Sequence, residues 1–499
     1  MRRLSRRNLL SGAGAAFALR VLPALARPQA ADAALRTLLD RAAQGAAPDE
    51  ILPELAAIDA TALSPSARLD LVTAGSGLVV DSELHSRFPF GRLGKSPYRV
   101  TPLAGAWIKH SDPRAIDADT AAILVDARAG VVLPAGLLAR TIDAIQGARA
   151  TADDAAAPSL DNQLSVLRGQ LATAPTPGVG LLPQGLDYYG LLLRRFAGDD
   201  ANPDTAWRRL EQERVRTLAR ADALLKKLGQ KTGTVGARFS ALWSDPRWLY
   251  SDDDAGRDTA VADMNRTLDA ARDRLPTEFA SYPDSAAAVR VRRMSAEDAA
   301  AGRSGYRALP SATTPGSYFV DLKDIRRRPT WTLPGAVHHE LLPGHMIQLP
   351  IEAAADPHPL RLEYAPAFAE GWAIYAEQLA AADGAFAGDP MAELGHLHWT
   401  LFRIGRGLAD LGIHLHGWTL DQAQAKLAEW QGEPAYFAPF ALELDRITAE
   451  PASRAAEALV WLTLADLARG RDRKAFHSLV LADGRKRTDE LRRIVAGTK

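Results

Sequence analysis

The stretch His338-His339-Glu340-Leu341-Leu342-Pro343-Gly344-His345-Met346-Ile347-Gln348 gathers three of the chain's eleven histidines and a glutamate into eight positions. Thr332-Leu333-Pro334 ahead of it reads as a helix start, because a proline near the first helical position lacks only an N–H that would go unbonded anyway. Neutral imidazoles and a carboxylate on an apolar segment are the donors a catalytic zinc ion takes: two histidines hold the metal and an adjacent glutamate acts as base toward water. The spacing is awkward for a straight helix. Ligands four apart share a face, but His339 and His345 are six apart and fall roughly 240° from one another around the axis. His338 and His345 do share a face, yet sit about 10 Å apart along it. Pro343 removes a helical hydrogen bond and crowds the carbonyl of His339, while Gly344 tolerates whatever dihedrals result. The spacing therefore predicts a local bulge that returns His345 to the side of His339. The alternative is that Pro343-Gly344 ends the helix and the histidines are surface or capping groups.

Glu340 follows His339 directly and is the candidate general base. The candidate third ligand is Glu370, in Phe368-Ala369-Glu370-Gly371-Trp372-Ala373-Ile374-Tyr375-Ala376-Glu377, a helix that Pro366 can open. Phe368, Trp372, Tyr375 and Leu379 form an apolar stripe at helical spacing. Glu370 and Glu377 lie seven apart on another face, which is either a solvated acidic face or a ligand with an orienting carboxylate behind it. Glu377 and His338 are the candidates for orienting the ligand histidines. From Glu393 to Leu415, Leu394, Leu397, Leu401, Ile404, Leu408, Leu411 and Leu415 repeat by three and four, a packed helix seam. Beside it run Arg403, Arg406, Asp410 and His414. Asp410 is placed to orient His414 or hold it protonated, which would suit an oxyanion; a salt-bridged surface fits the same spacing. Thr419 with Gln422 reads as a capping box that starts the next helix. Arg446 can grip a substrate carboxylate or pair with a nearby glutamate. Tyr375 and Tyr318 complete the candidate substrate contacts.

The composition excludes several classes. With no cysteine there are no disulfides, thiolate ligands or cysteine nucleophile. Sixty acidic and sixty basic residues balance to zero net charge, so no electrostatic footprint for nucleic acid is present. Ser5-Arg6-Arg7-Asn8-Leu9-Leu10, an apolar run to Leu22 and Ala24-Leu25-Ala26 read as a twin-arginine signal peptide over residues 1–30, which predicts a periplasmic protein. No other stretch is apolar for about 18 residues, so no membrane insertion is expected once the signal is cleaved.

Residues 34–60, 137–172, 203–229 and 257–275 show helical periodicity, and helix-length segments recur from about 330 onward. Two short alternating runs, Ala288–Arg292 and Ser317–Leu322, predict a small antiparallel β element whose edge can bind extended substrate. Residues 86–104 and 173–190 read as loops. The fold expected is mainly α: one domain over 31–499, with a lobe 31–300 and a metal-binding lobe 301–499 flanking a deep central cleft.

Three motifs together carry a resemblance: His339-Glu340-Leu341-Leu342-Pro343-Gly344-His345-x-x-Gln348, then Glu370-Gly371-Trp372-Ala373-x-Tyr375-Ala376-Glu377, then Asp410-x-Gly412-Ile413-His414. They resemble the bacterial domain-of-unknown-function 885 family, which is similar to the gluzincin metallopeptidases. Gly185-Leu186-Asp187-Tyr188-Tyr189 and Gly316-Ser317-Tyr318-Phe319 extend the likeness. The resemblance implies a helical zincin-like fold and one zinc ion on His339, His345 and Glu370. It also implies Glu340 as base, a peptide substrate, and a functional His414. Where the family pattern has Arg-Tyr and Pro-Gly-Gln-Ala, this chain has Arg446-Ile447 and Pro451-Ala452-Ser453-Arg454. That leaves Tyr364, Tyr375 or Tyr436 to replace the missing tyrosine. Alternatives within these readings are a non-catalytic helical protein with a structural or vestigial metal site, and a metal-dependent amidase or esterase acting on a non-peptide substrate.

Overall fold

The computed structural model describes residues 29–92, 94–109, 112–311 and 313–497, and its elements are overwhelmingly helical. Residues 1–28, which carry nearly all of the twin-arginine pattern, lie outside that range. Gln29 and Ala30 already belong to the first helix, Gln29–Ala43. No described helix is long and apolar enough to cross a membrane.

The leucine seam predicted over 393–415 becomes Pro390–Leu415, 26 residues started by Asp389, whose carboxylate accepts from the N–H groups of Met391 and Ala392. This helix is the central post of the fold. The helices Pro203–Lys227, Ser453–Ala468, Leu420–Gln431, Phe440–Ala449 and Leu333–Glu340 all pack around it. Its polar stripe is buried with its apolar one: Arg403, Arg406, Asp410 and His414 are each under 8% exposed. A salt-bridged surface is thereby excluded, and every one of those groups needs a partner inside. The predicted capping box at Thr419 and Gln422 forms and opens Leu420–Gln431.

Segments 203–229 and 257–275 fold as Pro203–Lys227 and Asp254–Glu278. Segments 34–60 and 137–172 each divide into two helices, because Gln44-Gly45 and the stretch before Pro158 interrupt them. Helix Gly185–Ala197 begins inside the stretch expected as a loop.

The sheet differs from expectation. Arg290–Arg293 (β1) and Ser317–Val320 (β3) pair in parallel, with Val291 opposite Tyr318. The antiparallel partner is an unforeseen strand, Tyr306–Ala308 (β2), and the order is β1-β3-β2. The connection between β1 and β3, which contains helix Ala296–Ala300 and β2, is long enough for the crossover that parallel strands require. Asn265 closes the outer edge of β1 by accepting from Val291 N–H and donating to Val291 C=O. The largest apolar cluster draws side chains from Val80 to Val495, so the core runs continuously across position 300.

Candidate metal centre

Helix Leu333–Glu340 stops one residue after His339, and a new helix, His345–Ala354, begins at the second ligand candidate. The segment between them is a complete turn rather than the bulge predicted within one helix; its Leu342–Pro343 peptide is cis. Both sequence alternatives are partly realised: the helix does end, at Glu340 ahead of the Pro-Gly, and the two imidazoles nevertheless come together. Their ring centroids are 5.0 Å apart and nearly perpendicular.

Three contacts hold this turn. A Cβ built on Gly344 would lie 2.0 Å from the carbonyl oxygen of His339 and 2.5 Å from that of His338, so only glycine lets the chain fold back so closely. Trp372 donates its indole N–H to the carbonyls of Pro343 (3.1 Å) and Gly344 (3.3 Å). His338 Nδ1 lies 3.0 Å from the Leu342 carbonyl, and burial pushes its pKa down to about 4. A neutral ring donating from Nδ1 satisfies that carbonyl. His338 thus orients the turn and not a ligand ring.

Trp372 belongs to helix Ala367–Ala382, which also carries Glu370. Gly371 seats that helix, since a Cβ there would meet Val460 at 2.5 Å in helix Ser453–Ala468. Glu370 then faces both histidines: Oε2 is 3.4 Å from His339 Nε2 and Oε1 is 3.4 Å from His345 Nε2. The three candidate ligand atoms lie within 4.8 Å of one another. Ligands about 2.05 Å from a tetrahedral zinc ion stand about 3.3 Å apart, so the His–Glu separations match such a site. His345 offers a second observation. Both of its ring nitrogens are buried without a well-formed hydrogen bond among the described residues, Nε2 having only the Glu370 carboxylate at 3.4 Å, and a cation between them would satisfy Nε2. Burial and the charge of Arg307 hold His345 below its ordinary pKa against the pull of Glu370, and a neutral ring is the ligating form.

Behind His339, Glu377 Oε1 stands 2.7 Å from Nδ1, in the position that fixes the tautomer with Nε2 directed at Glu370. Burial alone would raise the Glu377 carboxyl, but its contact with His339 and the charges of His339 and Arg403 hold it below the usual range. Arg403, on the central helix, places Nη2 3.6 Å from Glu377 and 3.3 Å from His339 Nε2.

Glu340 lines a small cavity with His339, Glu377, Tyr318, Arg328, Arg403 and Tyr436. It pairs with Arg307 of β2. Burial works to raise its pKa, but Arg307 and the two histidines outweigh that and hold it below the usual carboxylate range. Tyr318 also lines this cavity, and burial pushes its hydroxyl well above its ordinary pKa, so it stays protonated and can donate a hydrogen bond. Of the three tyrosines considered as replacements, Tyr436 reaches this cavity; Tyr364 donates to Asp81 instead.

Four predicted site residues are employed elsewhere. His414 accepts from Val179 N–H at Nδ1 and lies 3.0 Å from the Ile447 carbonyl at Nε2; burial lowers its pKa to about 4. It is a neutral strut with both nitrogens engaged by backbone, not a protonated oxyanion donor. Asp410 is 4.0 Å from it and caps helix Ser453–Ala468 by accepting from the N–H groups of Ala452, Arg454 and Ala455. Tyr375 points to the opposite face of its helix, with its hydroxyl 3.0 Å from His477 Nε2. Arg446 is 3.6 Å from Glu443, in a network that also joins Arg406, Arg454 and Glu457. Arg307 and Arg328 were missed altogether. A three-residue strand is too short for periodicity to register, and nothing in Arg326-Arg327-Arg328 says which arginine turns inward.

The family model described as "Bacterial protein of unknown function (DUF885)" matches residues 26–495. The chain belongs to that family. Two solved structures share the fold. One is a candidate lipoprotein from Colwellia psychrerythraea, with TM-score 0.77 and 21% identity over 95% of this chain and 91% of that one. The other is a candidate lipoprotein of unknown function from Shewanella oneidensis, with TM-score 0.70 and 15% identity over 95% and 94%. No curated protein matches this member of the family.

Proposed function

We propose that this chain is a metal-dependent hydrolase, a zinc peptidase of gluzincin type that cleaves short peptides in a cleft between its 31–300 and 301–499 parts. The observation that carries the reading is the convergence of His339, His345 and Glu370 to within 4.8 Å although the first two are six residues apart. Bound there, zinc would supply Lewis acidity toward water and the scissile carbonyl. The remaining steps fall to the chain's own groups. Glu377 holds His339 in the tautomer that presents Nε2. Glu340, kept ionised beside Arg307, takes a proton from water onto its carboxylate and returns it to the leaving amine. Tyr318 and Tyr436 replace His414 as hydrogen-bond donors for the developing oxyanion. The twin-arginine pattern, and the description of both structural relatives as candidate lipoproteins, support an exported, periplasmic protein.

The Arg307–Glu340 pair also favours a second reading, a metal site kept for structure with its base neutralised. Glu340→Gln separates the two. The peptidase reading expects peptide-library cleavage that chelation abolishes, and a loss of at least about a hundredfold in turnover with zinc stoichiometry unchanged. Equal cleavage by wild type and Glu340→Gln, both loaded with zinc, would refute the assigned role.

A further inference from the structure

Among the described residues, no carboxylate forms an ion pair with the buried guanidinium of Arg328. It is 4% exposed, and neither Nε nor Nη2 has a hydrogen-bond partner among the described residues. The other arginines of the region are matched: Arg307 to Glu340, Arg403 to Glu377, and Arg406 and Arg454 to Glu443 and Glu457. An unpaired buried cation costs several kcal/mol, so its retention asks for an anion that arrives later. Its setting is that of a receptor. The guanidinium carbon lies 3.4 Å from the centroid of the Tyr436 ring, which fixes the plane of the group and leaves its N–H edge to bind. The side chain lines the same small cavity as His339, Glu340 and Tyr318.

We propose that Arg328 is a specificity-determining residue that binds a carboxylate of the substrate beside the metal centre. The inference rests on the hydrolase reading and narrows it to peptides that place an anion within a residue or two of the scissile bond. Planar carboxylate meets planar guanidinium in paired hydrogen bonds. The carboxylate has two sources, the C-terminal α-carboxylate of a short peptide or an Asp or Glu side chain.

The test uses zinc-loaded full-length protein carrying Glu340→Gln, so that binding is read without turnover. The probes are N-acetyl-Ala-Ala-Ala with a free C-terminus, its C-terminal amide, and N-acetyl-Ala-Ala-Asp amide. By calorimetry, at least one carboxylate probe is expected to bind about ten- to a hundredfold tighter than the plain amide, the range of a charge-assisted pair. Arg328→Met should erase that ratio and Arg328→Lys should restore part of it. The arm that shows the preference identifies the source. Arg328→Met is also expected to keep or raise the thermal midpoint, because it removes an unpaired charge, whereas a structural arginine would lower it on removal. Equal affinities for all three probes, no binding by any of them, or a preference that survives Arg328→Met overturns the proposal. Turnover by wild type is scored separately. Selective, Arg328-dependent binding without cleavage would retire the hydrolase reading and leave the carboxylate site standing, and cleavage blind to the carboxylate would do the reverse.

Discussion

Gly344→Ala is the sharpest perturbation of the candidate metal centre, because it adds a single methyl group and touches no candidate ligand. The new Cβ would sit 2.0 Å and 2.5 Å from the carbonyl oxygens of His339 and His338, against an ordinary C···O approach of about 3.3–3.6 Å. Both obstructions are backbone, so neither can swing aside. The turn has to open by about 1 Å, which weakens the Trp372 hydrogen bonds and carries His345 away from His339 and Glu370. The expected cost is about 3–5 kcal/mol of stability, the upper tail for a point substitution. Zinc affinity should fall at least about a hundredfold, since disturbing even the groups behind a ligand costs ten- to a hundredfold. Urea unfolding and zinc competition against a chromophoric chelator measure the two effects. Gly147→Ala is the control: it lies exposed in helix Ala135–Arg149 with nothing within 4 Å of its added Cβ, and should gain about 0.5–1 kcal/mol. Wild-type zinc affinity in Gly344→Ala would refute the claim that close backbone approach in this turn builds the site.

Ala452 sits at φ 68°, left-handed, a conformation that glycine adopts without a Cβ penalty; Ala452→Gly should therefore raise stability by about 1 kcal/mol, seen as a higher urea midpoint, and a lower midpoint would contradict this. His414→Gln should leave zinc affinity within about twofold while lowering stability at pH 7 by about 1–3 kcal/mol through lost backbone hydrogen bonds. The same variant tests a pH dependence. The folded pKa of His414 is near 4, below its unfolded value of about 6.5. Its neutral form is therefore the one the fold favours, and the stability it contributes is present above pH 6.5 and lost as pH falls toward 4. The wild-type stability curve should be steeper than that of His414→Gln by up to about 1.4 kcal/mol per pH unit in that window, and parallel curves would show that the ring is not buried neutral.

Much of the candidate metal centre was legible because its chemistry is written locally. His339, Glu340, His345, Glu370 and Glu377 stand in two short motifs, and an imidazole or a carboxylate advertises its use by its identity. The helices were legible where leucine repeats by three and four. What failed had a common cause. The stripe Arg403–Arg406–Asp410–His414 was correctly placed on one face of its helix, but spacing is silent on whether that face meets solvent or another helix. His414 and Asp410 consequently look the same in sequence whether they serve a substrate or a helix terminus. Tyr375 illustrates the converse: one turn and a half from Glu370, it shares a motif with the site and faces away from it.

By itself the sequence determined the donor set, the turn-forming Pro-Gly between the two histidines and the helical class, since these follow from residue identity and from periods of a few residues. The tertiary structure alone decided which charges are neutralised and which are left unpaired. It brought Arg307 to Glu340 from a strand only three residues long, turned Arg328 inward beside Tyr436, and committed His414 to two backbone groups more than thirty residues away. The reason is physical: a side chain's identity travels with the chain, but its burial and its partners belong to whatever packs against it.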